Sequence, residues 1–258
     1  MSTSRAILPR EYGAYAELAF PLLTAHIAGG VTAAGACFTL AVISWFLARE
    51  PLAVLNGVRG ARLEASLGRP ARRAAWALGG LGAVGAGVGL LLASPDARLW
   101  ALVPGACAVV LAPALLRGRP KTLRAEIVVA VALATMILPI GLSGRMALVA
   151  ALRASAVWAA SFVLATLAVH AIKARVKPDL GARWALWLTP VLAGLAVVTG
   201  FVGAGRGHWP WAVGLAVTPS AVLVATALAV GTHPRRLKRV GWSLAGANLV
   251  TLTLLLVA

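Results

Sequence analysis

Glu17 sits inside an apolar run, "AELAFPLLTAHIAG", and Glu11 stands six residues earlier at its edge. On a helix rising about 1.5 Å per residue, Glu17 lies about 9 Å deeper than Glu11 and about 240° around the axis. The two therefore cannot work as a one-face dyad. Glu17, Pro21 and Thr24 do share a stripe at helical spacing. A carboxylate inside a membrane span faces the bundle interior, where it serves a site or a pairing. Glu17 reads equally as a cavity group, or the coupling residue of a transporter, and as one half of a salt bridge to a loop arginine. Glu11 is more simply an acid that stabilises the positive end of a helix.

The second cluster is "AREPLAVLNGVRGARLEASLGRP", residues 48–70, with Arg49, Glu50, Asn56, Arg59, Arg62, Glu64 and Arg69. Guanidinium groups suit bidentate phosphate recognition. The plainer alternative is a charge cluster lying on anionic lipid, where each basic residue gains about 1 kcal/mol. The apolar residues in this stretch leave room for a short amphipathic surface helix. A third cluster, "HAIKARVKPDLGAR" (170–183), holds His170, Lys173, Arg175, Lys177 and Asp179. His170 could move protons or contact a haem or quinone, but a lone histidine at a helix end is more often structural. In "RAEIVVA", Glu126 is expected to pair with Arg124 or a neighbouring basic side chain. Asn248, in "THPRRLKRVGWSLAGAN", is read as an interhelical hydrogen-bonding group.

Positioning these residues falls to membrane helices. The chain has 258 residues, 60% hydrophobic and 12% charged, against about 25% charge in soluble domains. Runs near the ~20 residues that cross a bilayer recur throughout. Nine spans are expected, over 12–28, 31–48, 74–93, 99–116, 125–142, 147–172, 184–202, 210–231 and 240–258. Gly29-Gly30 marks a tight turn between the first two. The fold class is thus an all-α polytopic bundle in one transmembrane domain, with loops at about 49–73, 117–124, 173–183 and 232–239. The glycine-rich "LGGLGAVGAGVGLLLA" (78–93) is read as close helix packing. The apolar run at the N-terminus is followed directly by another and carries no cleavage pattern, so it is expected to stay in place.

Charge sets the expected orientation. The net charge is +17, and 20 of the 24 basic residues fall on one side of the nine-span alternation. Basic loops face the cytoplasm, so the N-terminus should be cytoplasmic and the C-terminus external. The same distribution argues against nucleic acid as a partner. Trp45, Trp76, Trp184, Trp187 and Trp242 fall near the cytoplasmic ends of spans, and Trp100, Trp209 and Trp211 near external ends, as an interfacial belt does. Cys37 and Cys107 lie in apolar runs without a CxxC, so no disulfide or metal site is expected. GxxxxGK[ST], HExxH and GxSxG are all absent from the sequence.

The opening stretch "PREYGAYAELAFP" resembles the signature of the YwiC-like family of bacterial membrane proteins, P-(K/R)-E-(H/Y)-G-A-(W/Y)-A followed by an apolar helix with an early proline. Pro9, Glu11, Tyr12, Gly13, Ala14 and Tyr15 carry the match, and "REPL" at Arg49 to Leu52 extends it. The resemblance implies an integral inner-membrane protein with no assigned reaction. It also implies a link to anaerobic and nitrate respiration, and so to respiratory-chain proteins as partners. A more distant architectural resemblance is to UbiA-type prenyltransferases, which share nine spans and place diphosphate sites in the loops after spans two and six. Here those loops are 49–73 and 173–183. The aspartate-rich Mg²⁺ motifs of those enzymes are missing: the first loop has only Glu50 and Glu64, the second only Asp179. No cofactor is expected, with Mg²⁺ relevant only to a prenyltransferase. The residues together suggest a cytoplasm-facing cavity framed by Glu17, Arg49, Asn56, Arg59, Arg62 and Lys173, binding an anionic isoprenoid or phospholipid within the bilayer. A divergent prenyltransferase and a small-solute transporter are the alternatives.

Overall fold

The computed structural model describes residues 12–116, 122–176 and 184–258, and among them there is no strand. Eight helical segments are long and apolar enough to cross a membrane. They are α2 (Ala33–Leu55), α3 (Ala61–Leu92), α4 with α5 (Pro95–Trp100 and Leu102–Leu116), α6 with α7 (Leu123–Thr135 and Ile137–Leu142), and α8 (Leu148–Val176). The rest are α9 (Ala185–Gly205), α10 with α11 (Trp211–Ala216 and Thr218–Ala229), and α12 (Leu237–Leu256) entered by a 3-10 turn. α1 (Tyr12–Gly29) is the ninth segment. Glu17 and His26 make it less apolar, and it packs against α6, α7, α8 and α12. Both polar groups are half-buried, Glu17 in the wall of a cavity and His26 Nε2 2.7 Å from Thr39 Oγ1 of α2.

Three of the expected single spans are broken, at Ala101, Met136 and Val217. Each break falls two or three residues before a proline (Pro104, Pro139, Pro219). A proline ring displaces the carbonyl four residues back and offers it no N–H, which bends the helix there. The connection expected over 49–73 is much shorter than a loop. α2 runs on to Leu55, α3 starts at Ala61, and only residues 56–60 turn, with Gly57 and Gly60 at positive φ. α3 is 32 residues, about 48 Å, and so outreaches a hydrocarbon core of ~30 Å. Its first turns carry the arginines that looked like a loop.

The glycine-rich stretch of α3 does pack closely. A Cβ on Gly85 would stand 2.9 Å from the Cys37 carbonyl, and Gly82 and Gly89 lie against the Trp45 and Phe38 rings of α2. Gly30, at φ 82°, makes the expected turn between α1 and α2.

The core centres on Trp158 of α8, fully buried between Phe20 at 5.5 Å and Phe162 at 5.3 Å. Its indole N–H donates to Thr24 Oγ1 at 3.0 Å, and the Thr24 hydroxyl donates to the Phe20 carbonyl at 2.8 Å. Thr24→Val keeps the shape and orphans the indole. It should cost about 1–3 kcal/mol and lower the unfolding midpoint in detergent, whereas Thr24→Ser should change little.

The bundle has two chemically different ends. At one, Asn56 reaches the Leu115 carbonyl, and Arg175 the Leu228 carbonyl. At the other, Arg145 N–H donates to the Gly29 carbonyl, and Arg153 to the His208 carbonyl. Arg98, Arg145, Arg153 and Arg206 are the described basic residues of this second end. All other described Lys and Arg belong to the first, which is therefore the basic end.

Candidate functional site

A cavity of about 1960 Å³ opens among the helices at the basic end. α1 contributes Gly13, Ala14 and Glu17; α2 contributes Trp45, Phe46, Arg49 and Glu50; the turn after it adds Arg59. α3 supplies Arg72 and Trp76, the start of α6 Arg124 and Glu126, α8 Phe162, Thr166, His170 and Lys173, and α12 Lys238, Trp242 and Asn248. Alanine, leucine, valine and glycine residues make up most of the remaining wall.

Two acid–base contacts organise the wall. Glu50 is 4% exposed, although it sits in a membrane helix. Arg59 binds one oxygen of its carboxylate through two nitrogens, Nε at 3.0 Å and Nη2. The tight turn at 56–60 is what folds Arg59 back onto α2. Burial of the acid is tolerable because the guanidinium offsets the lost hydration. Across the cavity, His170 Nε2 lies 2.8 Å from Glu126 Oε2, joining α8 to the first turn of α6. Thr122 caps that turn, its hydroxyl accepting the Ala125 N–H. The partner of Glu126 is thus His170, 44 residues away, and not the neighbouring Arg124.

The expected site residues separate into two groups. Glu17, Arg49, Glu50, Arg59, His170 and Lys173 line one cavity, so the C-terminal part of α2 with the turn after it meets the C-terminal part of α8. Asn56, Arg62 and Glu64 are not in its lining. The Asn56 amide is engaged by the Leu115 carbonyl at 2.7 Å, and Arg62 and Glu64 are exposed on the first turn of α3. Of the family motif, Gly13 and Ala14 line the cavity, and Tyr15 meets Phe46 edge-on at 5.5 Å. Pro9 and Glu11 lie outside the described residues, as do Lys177 and Asp179. Arg49 adds a cation–π contact, 5.6 Å above the Phe46 ring.

Sequence reasoning missed Arg72, Lys238 and the four tryptophans of the lining, Trp45, Trp76, Trp184 and Trp242. Those indoles looked like an interfacial belt alone. Their position at helix ends on the basic side was the available signal. Asn248 is both a wall residue and, as expected, an interhelical partner, accepting from Ser220 Oγ at 3.2 Å. Cys37 and Cys107 are free thiols. Among the described residues, no three His, Cys, Asp or Glu side chains gather as a metal group.

Eight helical segments long and apolar enough to cross a membrane among the described residues, with α1 packed among them, define a multi-pass membrane protein. The chain belongs to the YwiC-like protein family, whose model matches residues 8–141. That stretch runs from the opening motif into α7 and includes Glu17, Arg49, Glu50, Arg59 and Glu126; His170 and Lys173 lie beyond it. No curated protein and no solved structure matches the chain.

Proposed function

We propose that the chain binds an anionic amphiphile, an isoprenoid or phospholipid, in the cavity at the basic end of the bundle. The observation that carries this reading is the meeting of one large apolar-walled space with Arg49, Arg59, Arg72, Arg124, Lys173 and Lys238, from five helices and one turn. An apolar tail gains by leaving water for such walls, and clustered guanidinium and ammonium groups suit an anionic head. In this reading the basic end faces the cytoplasm of a bacterial inner membrane, in line with the bias of short basic loops. A respiratory-chain partner belongs to the same reading and rests on the family resemblance alone.

The prenyltransferase alternative is less well supported. It needs Glu50 or Glu64 to hold Mg²⁺, yet Glu50 is bound to Arg59 and Glu64 lies outside the cavity lining. A transporter reading rests on Glu17 in the cavity wall. Solute uptake that survives Glu17→Gln would end it.

The test is lipid analysis of purified protein. Arg72→Ala with Arg124→Ala and Lys173→Ala should reduce co-purifying anionic lipid at least about tenfold, since each charge-assisted contact is worth over 1 kcal/mol. Neutral lipid should stay unchanged. Equal anionic lipid in the variant and the parent would reject the reading.

A further inference from the structure

A groove of about 820 Å³ runs along the hairpin of α11 and α12 and shares no lining residue with the cavity. α12 separates the two: Lys238, Trp242 and Asn248 line the cavity, whereas Arg239, Val240 and Ser243 line the groove. The hairpin is fastened by Thr251 Oγ1, which donates to the Ala216 carbonyl at 2.7 Å, and by Ser220 with Asn248. Leu215, Pro219, Val222 and Leu223 make the groove apolar, and Val222 is 56% exposed, so it lies open on the outside of the bundle. Its lining on α12 runs from Arg239 to Leu254, about 22 Å of helix. That exceeds one leaflet's share of a ~30 Å hydrocarbon core. The basic end of the groove holds Arg236 and Arg239, both exposed. Neither guanidinium has a hydrogen-bond or ion-pair partner among the described residues, and none of the described acids lines the groove.

We infer that this groove is a second lipid site, outside the cavity, that takes an anionic phospholipid of the surrounding bilayer. An acyl chain lies along the apolar trough between α11 and α12, and the phosphate meets the two unpaired guanidiniums, which suit it bidentately. Both arginines stand at the N-terminal end of α12, where the helix dipole also favours an anion. Ser243 follows Arg239 by one turn and offers a hydroxyl about 6 Å deeper, toward the ester linkages. A second copy of the chain fits the groove less well. Copies in one membrane share an orientation, so a symmetric pair across this hairpin would bring Arg236 and Arg239 of both to one level, like charge against like. A lipid brings the opposite charge. Because the groove is open along its length, its lipid exchanges with the bilayer, and its occupancy is read in a bilayer rather than after purification. The site does not depend on what fills the cavity.

The experiment places the full-length chain in phosphatidylcholine vesicles that carry a trace of a photoreactive lipid, with the diazirine in the acyl chain. The probe is phosphatidylglycerol or, for reference, phosphatidylcholine with the same chains, and labelled peptides are mapped by mass spectrometry. The phosphatidylglycerol probe should label residues 215–243 at least about tenfold more than the reference, since each basic residue near the surface adds about fivefold. Arg236→Ala with Arg239→Ala should bring that ratio to about one, and Arg236→Lys with Arg239→Lys should keep most of it. Arg72→Ala with Arg124→Ala and Lys173→Ala, which changes the cavity, should leave it unmoved. An unchanged unfolding midpoint of the Arg236→Ala, Arg239→Ala variant in detergent shows that it still folds. A parent ratio near one, or a ratio unmoved by the two alanines, overturns the inference and leaves the cavity reading standing. A ratio lost in the cavity variant instead assigns the labelling to the cavity and overturns the separate site. Efficient disulfide dimerisation of Val222→Cys, in a chain with Cys37→Ser and Cys107→Ser, assigns the groove to a second copy and overturns it as well.

Discussion

Arg59→Ala will destabilise the protein by about 2–3 kcal/mol, more than any other charge removal at the basic end. Removing one partner of a buried pair typically costs about 3–5 kcal/mol, because the remaining charge stays desolvated. The Arg59 side chain is 30% exposed and that of Glu50 5%, so water relieves part of the cost. The sign follows from the asymmetry: Glu50 sits on a continuous helix and cannot leave its environment, while Arg59 reaches it from a turn. Glu50→Gln with Arg59→Gln should recover most of the loss, since no charge is then orphaned. Unfolding midpoints of the purified single and double variants measure this. A double variant as unstable as Arg59→Ala would mean that the pair acts through packing rather than charge.

Gly144→Ala should cost about 3 kcal/mol, the upper part of the usual range for overpacking. Gly144 lies in the turn between α7 and α8, where a Cβ would overlap the backbone carbonyl of Gly29. Neighbouring contacts hold the same joint: Arg145 N–H donates to the Gly29 oxygen at 2.6 Å, and a Cβ on Gly29 would come within 2.9 Å of the Gly141 oxygen. Both sides of the clash are main chain, so no rotamer can relieve it. This joint fixes the end of α1, and hence the depth at which Glu17 enters the cavity wall. Gly194→Ala is the control. It lies inside α9 with nothing within 4 Å of its Cβ, so it should be neutral or stabilise by up to about 0.5–1 kcal/mol. Equal losses at the two positions would contradict the close approach.

Hydropathy revealed the spans because lipid imposes one requirement on every helix that faces it, apolar side chains over about twenty residues. It could not show where helices continue beyond the lipid. The first turns of α3, with Arg62, Glu64, Arg69, Arg72 and Arg73, are helical yet polar, and so they read as a loop. The proline-linked breaks were invisible for a related reason: a bend leaves the apolar pattern intact. The glycines of α3 were legible, since small residues at helical spacing have little other use in a membrane.

At the site, single residues were legible and pairings were not. Glu17, His170 and Lys173 stood out because ionisable groups in or beside spans are costly and scarce. That Glu126 meets His170, or that Arg59 folds back to Glu50, depends on long-range packing and on a five-residue turn. Arg62 and Asn56 had the same local character as Arg59, and only the fold places them outside the cavity lining.

Native mass spectrometry of the protein, released directly from membranes without added lipid, tests binding of an anionic amphiphile most directly. The expected result is a discrete adduct whose mass is that of an anionic isoprenoid or phospholipid, retained by the parent and diminished when Arg72, Arg124 and Lys173 are all alanine. A protein that emerges bare, or carries only neutral lipid in both forms, would contradict it.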